Sequence, residues 1–256
     1  MYKIDCNSYR SIKAFNRRPR FLVIHYTALN FEKSIKALTG ENVSVHYLIP
    51  NPDDQTYHAA GFEEIRIFNL VDEHERAWHA GVSHWSGRSN LNDTSIGIEI
   101  VNEASDDSGV MTFPPYHSEQ INAVKELAIN ILQRYPDMTP THIIGHSDIA
   151  PGRKSDPGPI FPWKELYDAG IGAWYDEETK QQYIENFAQH YPARDAILGK
   201  FKQYGYDISA ANEMNGYRDL IKAFQMHFRP ENYNGEPDIE TIAIIYALVD
   251  KYFHNR

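Results

Sequence analysis

The segment Gly145–Pro159, with the sequence GHSDIAPGRKSDPGP, constrains the fold more than any other part of the chain. It follows a short apolar run and then crosses two Pro/Gly turns. Proline fixes φ and glycine permits backbone conformations that other residues avoid, so this segment is predicted to be a rigid loop. Such a loop holds His146, Lys154 and Asp156 in fixed directions, and functional side chains are common on loops of this kind.

A histidine and an aspartate in one rigid loop indicate a metal ion. Zinc binds imidazole nitrogen and carboxylate oxygen, and a catalytic zinc site has three protein ligands and leaves the fourth position to water. His146 and Asp156 would supply two of the three ligands. Taken singly, each also has an ordinary structural explanation, since His146 can cap a strand and Asp156 can cap the turn before Pro157.

The run RFLVIHYT at residues 20–27 predicts a strand that is buried on both faces of a mixed sheet. His25 lies at the end of this strand. Open α/β sheets bind ligands in the crevice beyond their strand ends, so His25 is the natural candidate for the third metal ligand. The alternative is a hydrogen-bonded core histidine, which is the commoner role for a single residue of this kind.

A second predicted strand, TSIGIEIV at residues 94–101, carries a carboxylate in its middle. Alternation with a period of two places the three isoleucines on one face and Glu99 on the other. On a solvent face Glu99 would need no functional explanation. Beside a metal site it would be the general base that accepts a proton from the attacking water.

Aromatic and imidazole side chains are concentrated in the segment AWHAG at residues 77–81. Trp78 and His79 are predicted to line a groove for a sugar or a peptide, although a tryptophan buried in a turn explains the pattern about as well. Arg153 in the rigid loop is a further predicted substrate contact. His46 is predicted either to orient the substrate or to support the metal site.

Composition excludes several classes of function. The 256 residues carry a formal net charge of −10, whereas a protein that binds nucleic acid needs a basic face to neutralise phosphates. No apolar run approaches the length of a transmembrane span, and the polar N-terminus predicts no signal peptide. The single cysteine, Cys6, excludes an internal disulfide; we interpret it as a surface thiol, with lipidation as the alternative if the natural precursor is longer.

Strands and helices alternate through about residue 165, which is typical of an α/β fold with a mixed central β-sheet flanked by helices. A strand is predicted over residues 43–49, and a covering helix is predicted to be capped by Ser118. Residues 1–175 are therefore predicted to be the catalytic domain. Residues 176–256 show no strand pattern and predict a small three-helix domain, either a binding module or an appendage that stabilises the first domain.

Five ordered segments resemble the zinc-dependent N-acetylmuramoyl-L-alanine amidases of type 2, the amidase_2 family. The similarity is greatest to the branch that carries a C-terminal peptidoglycan-binding domain, which the helical tail also resembles. The segments are FLVIHYTA (21–28), SVHYL (44–48), AWHAG (77–81), LNDTSIGIE (91–99) and the rigid loop. The resemblance covers nearly the whole chain, and the ordered set is much more specific than any one segment.

This resemblance implies one zinc ion per chain, held by His25, His146 and Asp156. It also implies that Glu99 activates the water and that Lys154 stabilises the oxyanion. The expected reaction is hydrolysis of the amide between N-acetylmuramic acid, in its ordinary or 1,6-anhydro form, and L-alanine of the stem peptide. Peptidoglycan and muropeptides are the expected partners, in wall turnover or recycling.

The sequence departs from part of the family at one position. Some phage-type relatives place a tyrosine directly before the histidine of the second strand, whereas this chain has Val45 before His46. No catalytic tyrosine is therefore predicted.

Two alternatives stay open. A non-catalytic peptidoglycan-recognition protein is the weaker one, because recognition proteins tend to lose a metal ligand and this chain has all three. Among enzymes, the missing signal peptide favours a cytoplasmic recycling amidase, whereas the wall-binding tail favours the cell envelope or periplasm, which is the location that we predict.

Overall fold

The structure is a computed structural model that describes residues 4, 8–9 and 18–253, so Cys6 lies outside the described residues. The strands are β1 (Phe21–Tyr26), β2 (Tyr47–Ile49), β3 (Phe68–Asn69), β4 (His84–Trp85), β5 (Arg88–Ser89), β6 (Ser95–Ile100), β7 (Ser105–Asp107), β8 (Val110–Thr112) and β9 (Ile143–Gly145). The helices are α1 (Phe31–Leu38), α2 (Gln55–Ala59), α3 (Ser118–Arg134), α4 (His146–Ile149), α5 (Trp163–Asp168), α6 (Glu177–Gln189), α7 (Arg194–Tyr204), α8 (Met214–Phe228) and α9 (Ile239–Phe253).

Five of the strands form the central sheet, in the order β3-β2-β6-β1-β9. Strands β2, β6, β1 and β9 pair in parallel, and β3 pairs with β2 in the antiparallel direction. Residues 21–24 of β1 are almost completely inaccessible to solvent, which agrees with a strand covered on both faces. The predicted α/β fold with a mixed central sheet flanked by helices is confirmed.

The register of the sheet brings the candidate residues to one edge. His25 on β1 is paired with Glu99 on β6, and Ile24 is paired with Gly145 on β9. Because parallel strands end at the same edge of a sheet, His146 at the start of α4 follows directly beside His25.

The predicted strand over residues 43–49 is shorter in the structure, where only Tyr47–Ile49 is extended in the sheet. Ser44 pairs with the AWHAG segment instead. Its N–H donates to the Trp78 carbonyl at 3.2 Å, and its Oγ accepts from the Trp78 N–H at 2.9 Å. The predicted covering helix is α3, but Ser118 is its first residue rather than its cap; the cap is His117, whose Nδ1 accepts from the Glu119 N–H.

The described part of the C-terminal region contains the three predicted helices, α7, α8 and α9, and a further helix, α6. The sequence of α6, EETKQQYIENFAQ, is mostly polar, so its helical periodicity is weak. One apolar core continues from the central sheet into these helices, with Trp85 packed edge-to-face on Tyr206 at 4.6 Å between ring centroids. The division at residue 175 stays a prediction.

None of the helices in the described residues has both the length and the apolar character that crossing a lipid bilayer would require.

Candidate active site

Three side chains meet at the carboxyl edge of the sheet. His25 Nδ1 lies 3.0 Å from His146 Nδ1, and both nitrogens lie 2.9 Å from Asp156 Oδ2. All three residues are buried, with relative exposures of 1%, 4% and 5%. Three ligand atoms this close together could bind one metal ion. The structure therefore brings together the three predicted ligands.

The protonation of these groups favours cation binding. Burial, with a further contribution from His146, lowers the pKa of His25 to about 4. Burial alone would raise the pKa of Asp156, but the two histidines outweigh it and hold that pKa below its usual range. A neutral imidazole and an ionised carboxylate are the forms that coordinate metals.

The rigid loop is closed by short-range contacts that fix His146 and Asp156 relative to each other. The Ser147 N–H donates to the Asp156 carbonyl at 2.9 Å. A Cβ at Gly145 would lie 2.7 Å from Cδ of Pro157, so glycine permits the close approach of the two ends of the loop. The proline-rich loop thus presents both ligands as the sequence predicted.

The C-terminal helices contact this loop through Asp148, which is fully buried. Its carboxylate accepts hydrogen bonds from the Gly145 N–H at 2.8 Å, the Tyr206 hydroxyl at 2.6 Å and His227 Nδ1 at 2.7 Å. The His227 ring in turn stacks on Trp163, with ring centroids 3.9 Å apart. Residues from beyond position 175 therefore hold the helix that begins with His146.

Glu99 lies beside the three-residue cluster. Its Oε2 is buried and has no hydrogen-bond partner among the described residues. Burial raises the pKa of Glu99 well above its usual range, Asp156 raises it further, and Lys154 opposes the shift. A carboxylate of raised pKa next to a candidate metal site is suited to proton transfer.

Glu99, His146 and Asp156 line a cavity of about 360 Å³. Glu99, Lys154, Arg153 and Trp78 all contribute to its wall. Trp78 is 61% exposed, and the Arg76 guanidinium covers one face of its indole at 4.6 Å from the centroid. An exposed aromatic ring in the wall of a cavity is suited to contact with a sugar or peptide.

Arg153 is tied to the protein rather than free in the cavity. Its Nη2 donates to the Ala80 carbonyl at 2.9 Å and to the Val82 carbonyl at 2.6 Å. These bonds connect the rigid loop to the end of the AWHAG segment. The predicted contact of Arg153 with substrate stays a prediction.

His79 and His46 lie behind the metal-ligand cluster. His79 lines the cavity, but it is only 8% exposed and both ring nitrogens have protein partners. His46 is fully buried, does not line the cavity, and accepts a hydrogen bond from the Gly97 N–H at 3.0 Å. A substrate contact by His46 does not agree with this position, because its ring turns inward to the neighbouring strand. The alternative role, support of the metal site, stays a prediction.

The sequence interpretation gave no role to several buried polar residues. Ser95 is within a segment that carries the family resemblance, and Asp148 is an acidic residue two positions after His146 in the rigid loop, which was the available sequence signal for it. Tyr206 and His227 gave no such signal, because only the tertiary fold brings them to Asp148.

Comparison with known proteins identifies relatives over most of the chain. The profile of the family Amidase_2, N-acetylmuramoyl-L-alanine amidase, matches residues 15–159. The N-acetylmuramoyl-L-alanine amidase AmiD of Escherichia coli K12 is 46% identical over 253 residues, which cover 98% of this chain and 89% of AmiD.

Two solved structures are similar over nearly their full length. AmpDH3 from Pseudomonas aeruginosa, crystallised in complex with anhydromuramic pentapeptide, has a TM-score of 0.96 and 62% identity, covering 98% of this chain and 99% of the other. AmiD from E. coli, in complex with anhydro-N-acetylmuramic acid-L-Ala-D-γ-Glu-L-Lys, has a TM-score of 0.85 and 44% identity, covering 96% and 93%.

Proposed function

The chain belongs to the family of N-acetylmuramoyl-L-alanine amidases and is an enzyme of that class; we propose that it is zinc-dependent and cleaves the amide between N-acetylmuramic acid and L-alanine of muropeptides. We include the 1,6-anhydro form, because both solved relatives were crystallised with anhydromuramyl peptides. The proposal rests mainly on one observation: the potential ligand atoms of His25, His146 and Asp156 lie close together, beside Glu99. A complete ligand set with an adjacent base argues against a purely recognising protein.

The residues present fit a zinc ion. His146 Nε2 lies 3.0 Å from the Ala80 carbonyl and 3.4 Å from Arg153 Nη2. Because Arg153 Nη2 already donates to two carbonyls, it has no hydrogen left for His146, so His146 must donate from Nε2 to Ala80. His146 Nδ1 is then a bare acceptor that faces His25 and Asp156. Two histidine nitrogens and one carboxylate oxygen, with space beside them, match a catalytic zinc site.

When bound there, zinc would polarise the scissile carbonyl and lower the pKa of water. Glu99 accepts the proton from the attacking water, since it lines the cavity next to the ligand cluster. A nearby cation favours the ionised form of Glu99 and opposes the effect of burial on its pKa. The proton is then available at Glu99 for the departing nitrogen of L-alanine.

Lys154 is proposed to stabilise the oxyanion. It lines the same cavity as Glu99 and lies two residues before Asp156. The negative charge on the carbonyl oxygen develops mainly in the transition state, so a cation beside it raises turnover more than ground-state binding.

The cavity wall supports a muropeptide as the substrate. Trp78 offers one exposed indole face, and the polar side chains of Lys154 and Ser155 line the same cavity. We propose that Trp78 packs on the substrate where it enters, and that the scissile amide lies between Glu99 and Lys154.

We propose further that the enzyme works in the cell envelope, on wall polymer or its fragments, and that residues 176–256 contribute to binding this polymer. Cell fractionation with an antibody against the native chain tests the location, since recovery with cytoplasmic markers would contradict it. Pull-down of the whole protein with purified peptidoglycan tests the second part.

The zinc proposal is tested by elemental analysis of protein purified without added metal, paired with mass-spectrometric detection of stem peptide released from muropeptide. One zinc per chain, with release abolished by a chelator and restored by zinc, is expected. His25→Ala should lose the metal, whereas His74→Ala, which removes an exposed histidine outside the cavity, should keep it. Full release by metal-free protein would contradict zinc dependence.

A further inference from the structure

A row of buried hydrogen bonds continues from His25 on the side away from the other two candidate ligands. His25 Nε2 lies 2.8 Å from His79 Nδ1, and His79 Nε2 lies 3.1 Å from Ser95 Oγ. Ser95 Oγ lies 2.6 Å from the Leu91 carbonyl oxygen. Ser95 is fully buried, and His25 and His79 are nearly so.

The direction of each hydrogen bond in this row follows from the last one, between Ser95 and the Leu91 carbonyl. Two oxygens 2.6 Å apart require a hydrogen between them, and only the Ser95 hydroxyl can supply it to the Leu91 carbonyl. The single hydroxyl hydrogen is thereby used, so Ser95 must act as the acceptor towards His79. His79 therefore carries its hydrogen on Nε2.

His79 has no carboxylate partner among the described side chains, and a buried imidazolium without one would be costly. A neutral His79 with its hydrogen on Nε2 has a bare Nδ1. This nitrogen accepts a hydrogen from His25 Nε2 at 2.8 Å. The lone pair on His25 Nδ1 is then directed at His146 Nδ1 and Asp156 Oδ2.

We propose that His79 and Ser95 are positioning residues that fix the tautomer and ring orientation of His25, so that its Nδ1 is always presented to the metal. Partners of this kind behind a metal-binding histidine orient the ring and raise its basicity. The inference rests on the zinc site proposed above, and it gives His79 a role in metal binding rather than in substrate contact.

Gly97 provides the space for this arrangement. A Cβ at Gly97 would lie 2.6 Å from Nδ1 of His79 and 2.7 Å from its Cγ, so it would clash with the His79 ring in its present position. Because Gly97 has no side chain, the His79 ring can pack directly against the strand that contains Glu99. Gly97→Ala is expected to displace that ring and weaken the bond to His25.

Zinc affinity, measured by competition with a chromophoric chelator at fixed pH, tests the inference without using activity. Ser95→Ala and His79→Leu are expected to weaken zinc binding by about 10- to 100-fold, the range typical of outer-shell partners. His79→Asn retains an oxygen that can accept from His25 and should recover part of the loss. Ser83→Ala is the matched control, since this buried hydroxyl also donates to a carbonyl and accepts from an N–H but does not contact His79.

The tautomers are observed directly by long-range ¹H–¹⁵N correlation of the histidine rings in the zinc-loaded protein. Hydrogen on Nε2 of both His25 and His79 is expected. The inference would be overturned if His79 carried its hydrogen on Nδ1. It would also be overturned if Ser95→Ala and His79→Leu bound zinc with an affinity within twofold of that of the parent chain. If the parent chain bound no zinc, the proposed zinc dependence would be wrong. The His79 tautomer in the purified protein would still show whether the hydrogen bonds run in the direction inferred here.

Discussion

Replacing Tyr206 by phenylalanine should destabilise the whole protein, although the residue lies in the C-terminal region. Its hydroxyl donates to Oδ1 of the fully buried Asp148 at 2.6 Å, and the described residues contain no other donor to that oxygen. Burial and the neighbouring carboxylate raise the pKa of Tyr206 well above its usual range, so the hydroxyl keeps the proton it donates. The variant retains the ring and its packing on Trp85.

The expected magnitude follows from the type of bond that is lost. A hydrogen bond to a charged group contributes about 1.5–3 kcal/mol, and its loss here leaves a buried oxygen unsatisfied. The unfolding equilibrium should therefore shift by a factor of about 10 to 150. Because Asp148 also accepts from the Gly145 N–H at the start of the helix that carries His146, zinc retention should fall as well.

Urea-induced unfolding followed by tryptophan fluorescence measures the effect, with Tyr204→Phe as the matched control. Tyr204 is a similarly buried tyrosine that stacks near Tyr206, and the described residues give its hydroxyl no hydrogen-bond partner. The control should change the free energy of unfolding by less than about 0.5 kcal/mol. Equal effects of the two substitutions, or two separate unfolding transitions, would refute the idea that the C-terminal region holds the loop that carries His146 and Asp156.

Three further outcomes are expected. Glu99→Gln should lower kcat by about 10²- to 10⁴-fold with zinc content unchanged; near-normal turnover would remove Glu99 as the base. Lys154→Met should lower kcat by about 10²- to 10³-fold with a small change in KM, whereas a change confined to KM would indicate ground-state binding. Burial lowers the pKa of His46 from 6.5 in the unfolded chain to about 4 in the folded protein. As the pH falls from 6.5 to 4, the unfolded chain binds a proton at His46 before the folded protein does, so the free energy of unfolding should fall by about 3 kcal/mol. Urea unfolding of His46→Gln across this range should show a shallower loss, and an unchanged slope would contradict the assignment.

Parallel strand ends made the centre of the site predictable. The apolar run ending in His25 and the apolar run before Gly145 each indicated a strand that ends next to a candidate metal ligand, and the strand of residues 94–101 was predicted to contain Glu99 in its middle. Since such ends meet at one edge of a sheet, the sequence made His25 the candidate third ligand beside His146 and Asp156, and the family resemblance implied the full set.

The surroundings of the site could not be predicted in the same way. The sequence predicted a substrate contact for His79 and either a substrate or a metal-site role for His46, because sequence spacing does not reveal whether a ring faces a cavity or a neighbouring strand. In the structure, the His46 ring accepts from the Gly97 N–H and the His79 ring occupies the space that Gly97 leaves open. The bond from Tyr206 to Asp148 spans 58 residues, and no local pattern encodes such a contact.

Hydrolysis of a purified anhydromuramyl tripeptide in H₂¹⁸O, with both products analysed by mass spectrometry, tests the central claim most directly. A zinc-activated water attacking the lactyl carbonyl predicts one ¹⁸O in the carboxylate of the muramic acid product and an unlabelled peptide with a free L-alanine amine. Release should stop in the presence of a chelator. Label in the peptide, cleavage at another bond, or intact substrate after incubation with the zinc-loaded enzyme would contradict the account.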